Sequence, residues 1–204
     1  MTYILAEIAS AHMGDPDLCL ELIHKAKEAG ADGVKVQVWF PEEGDFSRMM
    51  DKFTDWEYIL SRSLRGFDLW GQWYGDKSKA LCARFCDRLI SGHSKIFDGR
   101  EIYGKQDYPT LVRDAHIKRV YGNGDGFADH SASTYSWVQF TNKHYNWGFI
   151  LPAMAIAAGA TLIEKHICLD REELKKKSKD WVSALEPHEF KEFVEFIREA
   201  ETAL

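Results

Sequence analysis

No run of about 18 apolar residues occurs anywhere in this chain of 204, so a membrane-spanning helix is not expected. The N-terminal segment shows no signal-peptide pattern, and the expected location is cytoplasmic. Positive charge is also short. The net charge of −6 gives no basic footprint for a nucleic acid or an anionic membrane. The one basic run, Lys175-Lys-Lys-Ser-Lys179, is local and reads equally well as a solvated loop or an anion site. Cysteines number four. Cys82 and Cys86 stand one helical turn apart, which suits two buried thiols better than a redox or metal pair, and all four are expected reduced. No internal repeat and no linker interrupts the chain. Gly122-Asn-Gly-Asp-Gly126 is turn chemistry rather than a phosphate cradle, because no strand–loop–helix pattern surrounds it.

What is present suits one domain over residues 1–204, large enough to bury a core, with 45% hydrophobic and 28% charged residues. Tyr3-Ile-Leu-Ala-Glu-Ile-Ala9 reads as a strand buried on both faces of a parallel sheet. Glu7 interrupts it, and a carboxylate there needs a partner, either in a site or in a core ion pair. Asp15-Pro16 provides an N-cap and first-turn proline for a helix with Leu18, Leu22, Ile23, Ala26 and Ala29 at helical spacing, closing at Gly30. Gly33-Val-Lys-Val-Gln-Val-Trp39 alternates, with valines on one side and Lys35 and Gln37 on the other. In a barrel Lys35 either faces inward, opposite an anion, or lies on an exposed edge.

From Pro41 to Gly75 no strand is evident, and a helix is expected within Phe53–Leu64. Four of the seven tryptophans fall between Trp39 and Trp73, which suggests an aromatic face at an interface. Asp76–Leu89 reads as a helix. Glu101–Tyr103 and Ile117–Tyr121 are candidate strands. Phe149–Gly159 is a packed helix between two short strands, and Pro187 opens a last helix with Phe190, Phe193, Val194, Ile197 and Ala200 in one stripe.

The strands flanking the Phe149–Gly159 helix end in histidines, in Gly126-Phe-Ala-Asp-His130 and Leu162-Ile-Glu-Lys-His166. Active residues of βα folds gather at strand C-termini. Two imidazoles on neighbouring strand ends, with carboxylates nearby, suit a divalent transition metal. Each histidine can equally be a local cap.

These segments resemble the sialic acid (N-acetylneuraminate) synthases and their legionaminate and pseudaminate relatives. The resemblance lies in Ile4–Gly14, Ala29–Gln37, Gln106-Asp-Tyr-Pro-Thr110, Gly126-Phe-Ala-Asp-His-Ser131, Ile163-Glu-Lys-His166 and Asp180 to Val194. It implies a TIM-type (β/α) barrel that condenses phosphoenolpyruvate with an N-acetyl-hexosamine aldehyde, giving a nonulosonic acid and phosphate. By the same resemblance His130 and His166 hold Mn²⁺ or Mg²⁺, and Glu7, Lys35 and Glu164 are catalytic, Lys35 taking the phosphoenolpyruvate anion. Gln37, Arg88, Gln106, Tyr108, Asp129, Lys165 and Asp180 then contact substrates.

The chain departs from the family in its middle, where the expected phosphate-binding blocks are missing. No counterpart of the C-terminal antifreeze-like domain stands in these 204 residues. Arg88, Lys95 or Lys105 is the expected replacement grip on phosphate. Two other functions compete: a silent barrel acting as a binding or assembly module, and another metal-dependent sugar-converting aldol-type enzyme. Eight βα units at about 25 residues each would consume the whole chain. A shortened α/β barrel is therefore expected, irregular between the second and sixth strands and covered there by the aromatic segment or by a second subunit. The expectation is a homodimer using some of Trp56, Trp70 and Trp73.

Overall fold

The computed structural model describes residues 1–44, 55–92, 96–97, 100–104, 107–117, 125–133 and 146–204. The chain begins with strand β1 (Tyr3–Glu7), helix α1 (Pro16–Glu28) and β2 (Gly33–Val38). Asp15 caps α1 by accepting from the Asp17 and Leu18 backbone N–H groups, and the chain leaves through Gly30 at φ +91°. Next come α2 (Trp56–Arg62), β3 (Asp68–Trp73), α3 (Asp76–Phe85) and β4 (Arg88–Ser91). A two-residue strand β5 (Ile96–Phe97) turns back against β6 (Arg100–Tyr103). β7 (Gly126–Asp129), α4 (Trp147–Ala157), β8 (Leu162–His166), α5 (Arg171–Lys175) and α6 (Pro187–Glu201) complete the order.

The sheet runs β4-β3-β2-β1-β8-β7-β6-β5, with every pairing parallel except β5 on β6. β1 lies at its centre, between the second strand and the last, so the chain's first and last thirds meet side by side. Among the described residues no ladder joins β4 to β5. The fold is thus a shortened α/β barrel, and the interrupted pairing among the described residues falls where the expectation put its irregularity.

An aspartate just before a strand repeatedly fastens that strand to its neighbour. Asp32 accepts from Ile4 N and donates its own N–H to Ile4 O; Asp87 does the same with Leu69. Asp125 accepts from Glu101 N. These clips satisfy backbone groups at the strand starts and help fix register.

Two apolar layers result. Outside the sheet, Ile4, Val34, Val36, Phe127 and Ile163 pack against α1, α4 and α6. α6 contributes the predicted stripe, with Phe190, Phe193, Val194 and Ile197 buried; each full phenylalanine burial is worth about 1.5–3 kcal/mol. Inside the curl a smaller cluster forms from Leu5, Trp70, Ile90, Ile102, Ala128 and Leu162. Alternation places Glu7, Lys35, Gln37, Gln72 and Glu164 on that inner face as well. The inner face is therefore apolar toward the strand starts and polar toward the strand ends.

Several expectations need correcting. β3 lies in the segment that showed no strand. Its inner positions are Asp68, Trp70 and Gln72 and its outer ones Leu69, Gly71 and Trp73, so the inner side mixes polar and aromatic groups, glycine interrupts the outer side, and the period of two is blurred. The helix expected to reach Leu89 stops at Phe85, because Cys86 is extended (φ −95°, ψ 146°) and Asp87 returns the chain to the sheet. Ile117 sits in a helical turn rather than a strand, and residues 118–121 lie outside the described residues. The cysteines are free, and Cys86 is half-buried. Cys82 and Cys86 pack over Gly71, where an added Cβ would come within 2.7 Å of both sulfurs. Trp56 and Trp70 are only 2% and 1% exposed, which removes them from any subunit interface. Trp73 is half-buried beneath Lys79. Among the described residues no helix is long and apolar enough to cross a membrane.

Candidate active site

The polar ends of the inner face open into a cavity of about 780 Å³ at the C-terminal mouth of the strands. Its floor comes from sheet register. Glu7 stands opposite Lys35 on one side and His166 on the other, while Gln37 stands opposite Gln72. Lys35, 1% exposed, lies between two carboxylates: it pairs with Glu7 and reaches Glu164 Oε2 at 2.5 Å. Glu7 also accepts from Ala9 N at 2.8 Å through Oε1. Lys35 faces inward, the more consequential of its two readings.

His166 closes β8, and His130 follows β7 directly. Because Asp129 pairs with Lys165 in the β7–β8 register, the two histidines fall side by side. Their ring centroids are 5.3 Å apart. Tyr108 covers both, at 4.8 Å from the His130 ring and 5.9 Å from that of His166, with its hydroxyl 3.4 Å from His166 Nε2. Thr110 N donates to His130 O and ties the Tyr108 loop to β7. His166 Nδ1 is buried and has no hydrogen-bond partner. Burial holds the His166 imidazolium below its usual range, opposed by Asp180 and Glu164. The Tyr108 and Tyr74 phenols are pushed up by burial first, and then by nearby carboxylates.

The far wall is the connection after β8. Asp180 accepts a hydrogen bond from Ser10 Oγ, and Ser10 Oγ also meets Ser178 Oγ at 2.5 Å. Lys175, Lys177, Lys179 and Trp181 line the same side.

Of the residues singled out from sequence, Glu7, Lys35, Gln37, Tyr108, His130, Glu164, His166 and Asp180 are brought to this cavity or into direct contact with its walls. Three are not. Asp129 and Lys165 sit on the outer side of their strands, where they pair with each other at 2.5 Å. Ser131 donates to Asp129 through both its backbone N–H and its hydroxyl, and the Lys165 ammonium lies against Gly148 at the start of α4. Alternation decides this: residues adjacent to Glu164 and His130 in a strand must point the other way. Arg88 begins β4 at the opposite mouth, paired with Asp68 and stacked near Tyr3 and Trp70. Gln106, Lys95 and Lys105 lie outside the described residues.

Residues that were not anticipated include Gln72, Tyr74, Ser10 and Ser178. Gln72 was legible only once β3 was recognised, since its register partner Gln37 was already a candidate. Ser10 sits in the loop after β1, which the strand-end rule could have flagged.

Residues 105–204 match the model of the NeuB family. The pseudaminic acid synthase of Campylobacter jejuni is 24% identical, over 99% of this chain and 74% of its own length. The N,N'-diacetyllegionaminic acid synthase of Legionella pneumophila is 23% identical, over 99% and 73%. In crystal structure, the N-acetylneuraminic acid (sialic acid) synthetase of Leptospira borgpetersenii superposes with a TM-score of 0.75, covering 99% of this chain and 84% of that one at 19% identity. Residues 105–204 thus carry the NeuB family match, and the whole chain is sialic acid synthase-like. Its β2, β1, β8 and β7 strand ends stand side by side, and among the described residues no ladder joins β4 to β5.

Proposed function

We propose that the protein condenses phosphoenolpyruvate with the open-chain aldehyde of an N-acetylated hexosamine, releasing phosphate and a nonulosonic acid. One observation carries the reading: the His130–His166 pair and the Glu7–Lys35–Glu164 cluster converge at a single cavity at the strand ends. The donor set fits a divalent ion held in an open site. Two imidazoles stand side by side, with ring centroids 5.3 Å apart, and one ring nitrogen is buried without a hydrogen-bond partner. Water and substrate would complete the shell around His130 and His166. When bound there, Mn²⁺ or Mg²⁺ supplies polarisation of the sugar aldehyde.

The remaining chemistry falls to side chains. When C3 of the enolpyruvate bonds to the aldehyde carbon, the carbonyl oxygen becomes an alkoxide and needs a proton. Water then adds at C2 and the C–O bond to phosphate breaks. Glu7 and Glu164, holding one ammonium between them, are placed to move a proton to the alkoxide and take one from water. Lys35 offsets charge on the carboxylate end of the enolpyruvate. Tyr108 and Asp180 flank the histidines and position the sugar.

The test is phosphate release from phosphoenolpyruvate with N-acetylmannosamine, with and without a chelator, joined to metal analysis of the purified protein. Turnover that stops on chelation and returns with Mn²⁺ is expected. His166→Ala should lose metal while keeping its circular dichroism. Failure of every N-acetyl-hexosamine tried, with metal supplied, would reject the reading. A homodimer remains part of the proposal, with its interface away from Trp56 and Trp70; a monomeric mass by light scattering would remove it.

A further inference from the structure

The cavity is electrically divided. On its floor Lys35 is shared by Glu7 and Glu164, so that cluster carries one excess negative charge and its only ammonium is already engaged twice. The cationic side is the wall formed by the connection after β8. Lys175, Lys177 and Lys179, spaced two apart, all line the cavity. Lys176 does not, and it is the lysine that pairs with Glu173, at 2.5 Å. Among the described residues no salt bridge reaches Lys177 or Lys179. The wall is nevertheless anchored. Arg171 pairs with Glu189 and donates to Ala184 O at one end, while the Ser10–Ser178–Asp180 hydrogen bonds hold the other.

We propose that Lys177 and Lys179 hold the phosphate end of a small phosphate monoester, which enters with its carbon end toward the histidines. A dianion placed on the floor would meet the excess carboxylate, whereas at the wall it meets Lys177 and Lys179, which no salt bridge among the described residues engages. The ligand class deepens the condensing reading and rests on it only for which monoester is used. Two sources share this chemistry: the enol phosphate, or a phosphorylated amino sugar.

The experiment follows tryptophan fluorescence, with calorimetry as a second readout, on the full chain at low salt. Trp181 lies under Lys175 at 4.7 Å and reports on this wall. The ligands are inorganic phosphate, phosphoenolpyruvate, pyruvate, N-acetylmannosamine and its 6-phosphate. The double variant Lys177→Gln/Lys179→Gln should weaken phosphate and the monoester that is used by about tenfold, and pyruvate and the plain sugar by less than about twofold. Whichever monoester loses affinity identifies the source. Both lysines are exposed, so the variant's melting curve should overlay the parent's. Unchanged phosphate affinity in the double variant, or an equal loss for the unphosphorylated ligands, overturns the inference. The two readings separate cleanly. Lysine-dependent phosphate binding without condensation leaves this site standing and rejects the condensing function. Condensation with an unaltered KM for phosphoenolpyruvate and for the sugar in the double variant does the reverse.

Discussion

Two buried lysine–carboxylate clusters lie one residue apart on the same strand, and they differ in almost everything but composition. Lys165 and Asp129 form a one-to-one pair on the outer face of β8 and β7, sealed by α4, with both Asp129 oxygens hydrogen-bonded by Ser131. Around Glu164, on the inner face, one lysine serves two carboxylates, and Glu7 Oε2 has no hydrogen bond beyond that ion pair. A one-to-one pair with both carboxylate oxygens hydrogen-bonded has no surplus charge to offer a ligand. An unbalanced cluster at a cavity does, because the missing charge or proton can come from substrate. Balance and hydrogen-bond satisfaction, more than burial, separate the structural cluster from the chemical one.

Breaking the outer pair should have the largest effect. Asp129→Asn leaves the Lys165 ammonium buried without its counter-charge, which costs about 3–5 kcal/mol of stability. Urea unfolding should show that loss, while the folded fraction still binds phosphate with parental affinity. Adding Lys165→Met should recover a good part of it. A loss under about 1 kcal/mol would place the pair in a wetter setting than its burial implies.

The next largest effect separates charge clusters from a buried neutral ring. His12 is 1% exposed, edge-on to Trp56, and burial lowers its pKa from 6.5 to about 4. Its folded pKa lies below its unfolded one, so between those values the unfolded chain binds more protons. The stability linked to neutral His12 is full above about pH 6.5 and is lost as pH falls toward 4, about 3 kcal/mol in all. Unfolding at pH 7, 6 and 5 should show the parent losing about 1 kcal/mol per pH unit more than His12→Gln. Parallel pH profiles would assign the acid sensitivity to the carboxylate clusters instead.

Much of this was legible in the sequence, for a definite reason. β1 is nearly all apolar and β2 sets valines against Lys35 and Gln37, so Glu7 and Lys35 stand out as polar groups with no cheap place in a core, while His130 and His166 stand out at matching strand ends. The resemblance then assigned them roles but said nothing of which way each faced. Asp129 and Lys165 entered the site with the matching blocks that hold them, although period two sends them outward. β3 stayed hidden because its inner face is already polar at Gln72 and aromatic at Trp70. Arg88 was placed in the site on the faint likeness of its segment, yet the helix before it ends early and starts β4 at the far mouth.

On the inner cluster the expectation inverts. Glu164→Gln removes the surplus charge and leaves Lys35 with Glu7 as a one-to-one pair, so unfolding should shift by less than about 1 kcal/mol, in either direction. Condensation should nonetheless fall by at least about a hundredfold, or about 2.7 kcal/mol on the barrier. Stability held with activity lost is the opposite of Asp129→Asn. Both properties lost together would make the two clusters alike.

The smallest effect tests whether the cavity wall moves with the floor. Ser10 follows β1 and reaches across to Ser178 and Asp180, so it joins the carboxylate floor to the lysine wall. Asp180 is only partly buried, and water can replace the hydroxyl of Ser10. Ser10→Ala should therefore cost about 1 kcal/mol, lowering Tm by about 2–4 °C for a chain of this size. Because the wall would sit less firmly over the phosphate end while the floor is untouched, KM for the phosphorylated substrate should rise a few-fold, by about 1 kcal/mol, with kcat nearly unchanged. A drop in kcat with KM constant would instead place Ser10 among the groups that touch the reacting atoms. No change in either would mean that floor and wall are held independently, and the link between the two regions would then lie in Tyr108, the residue that already spans His130 and His166.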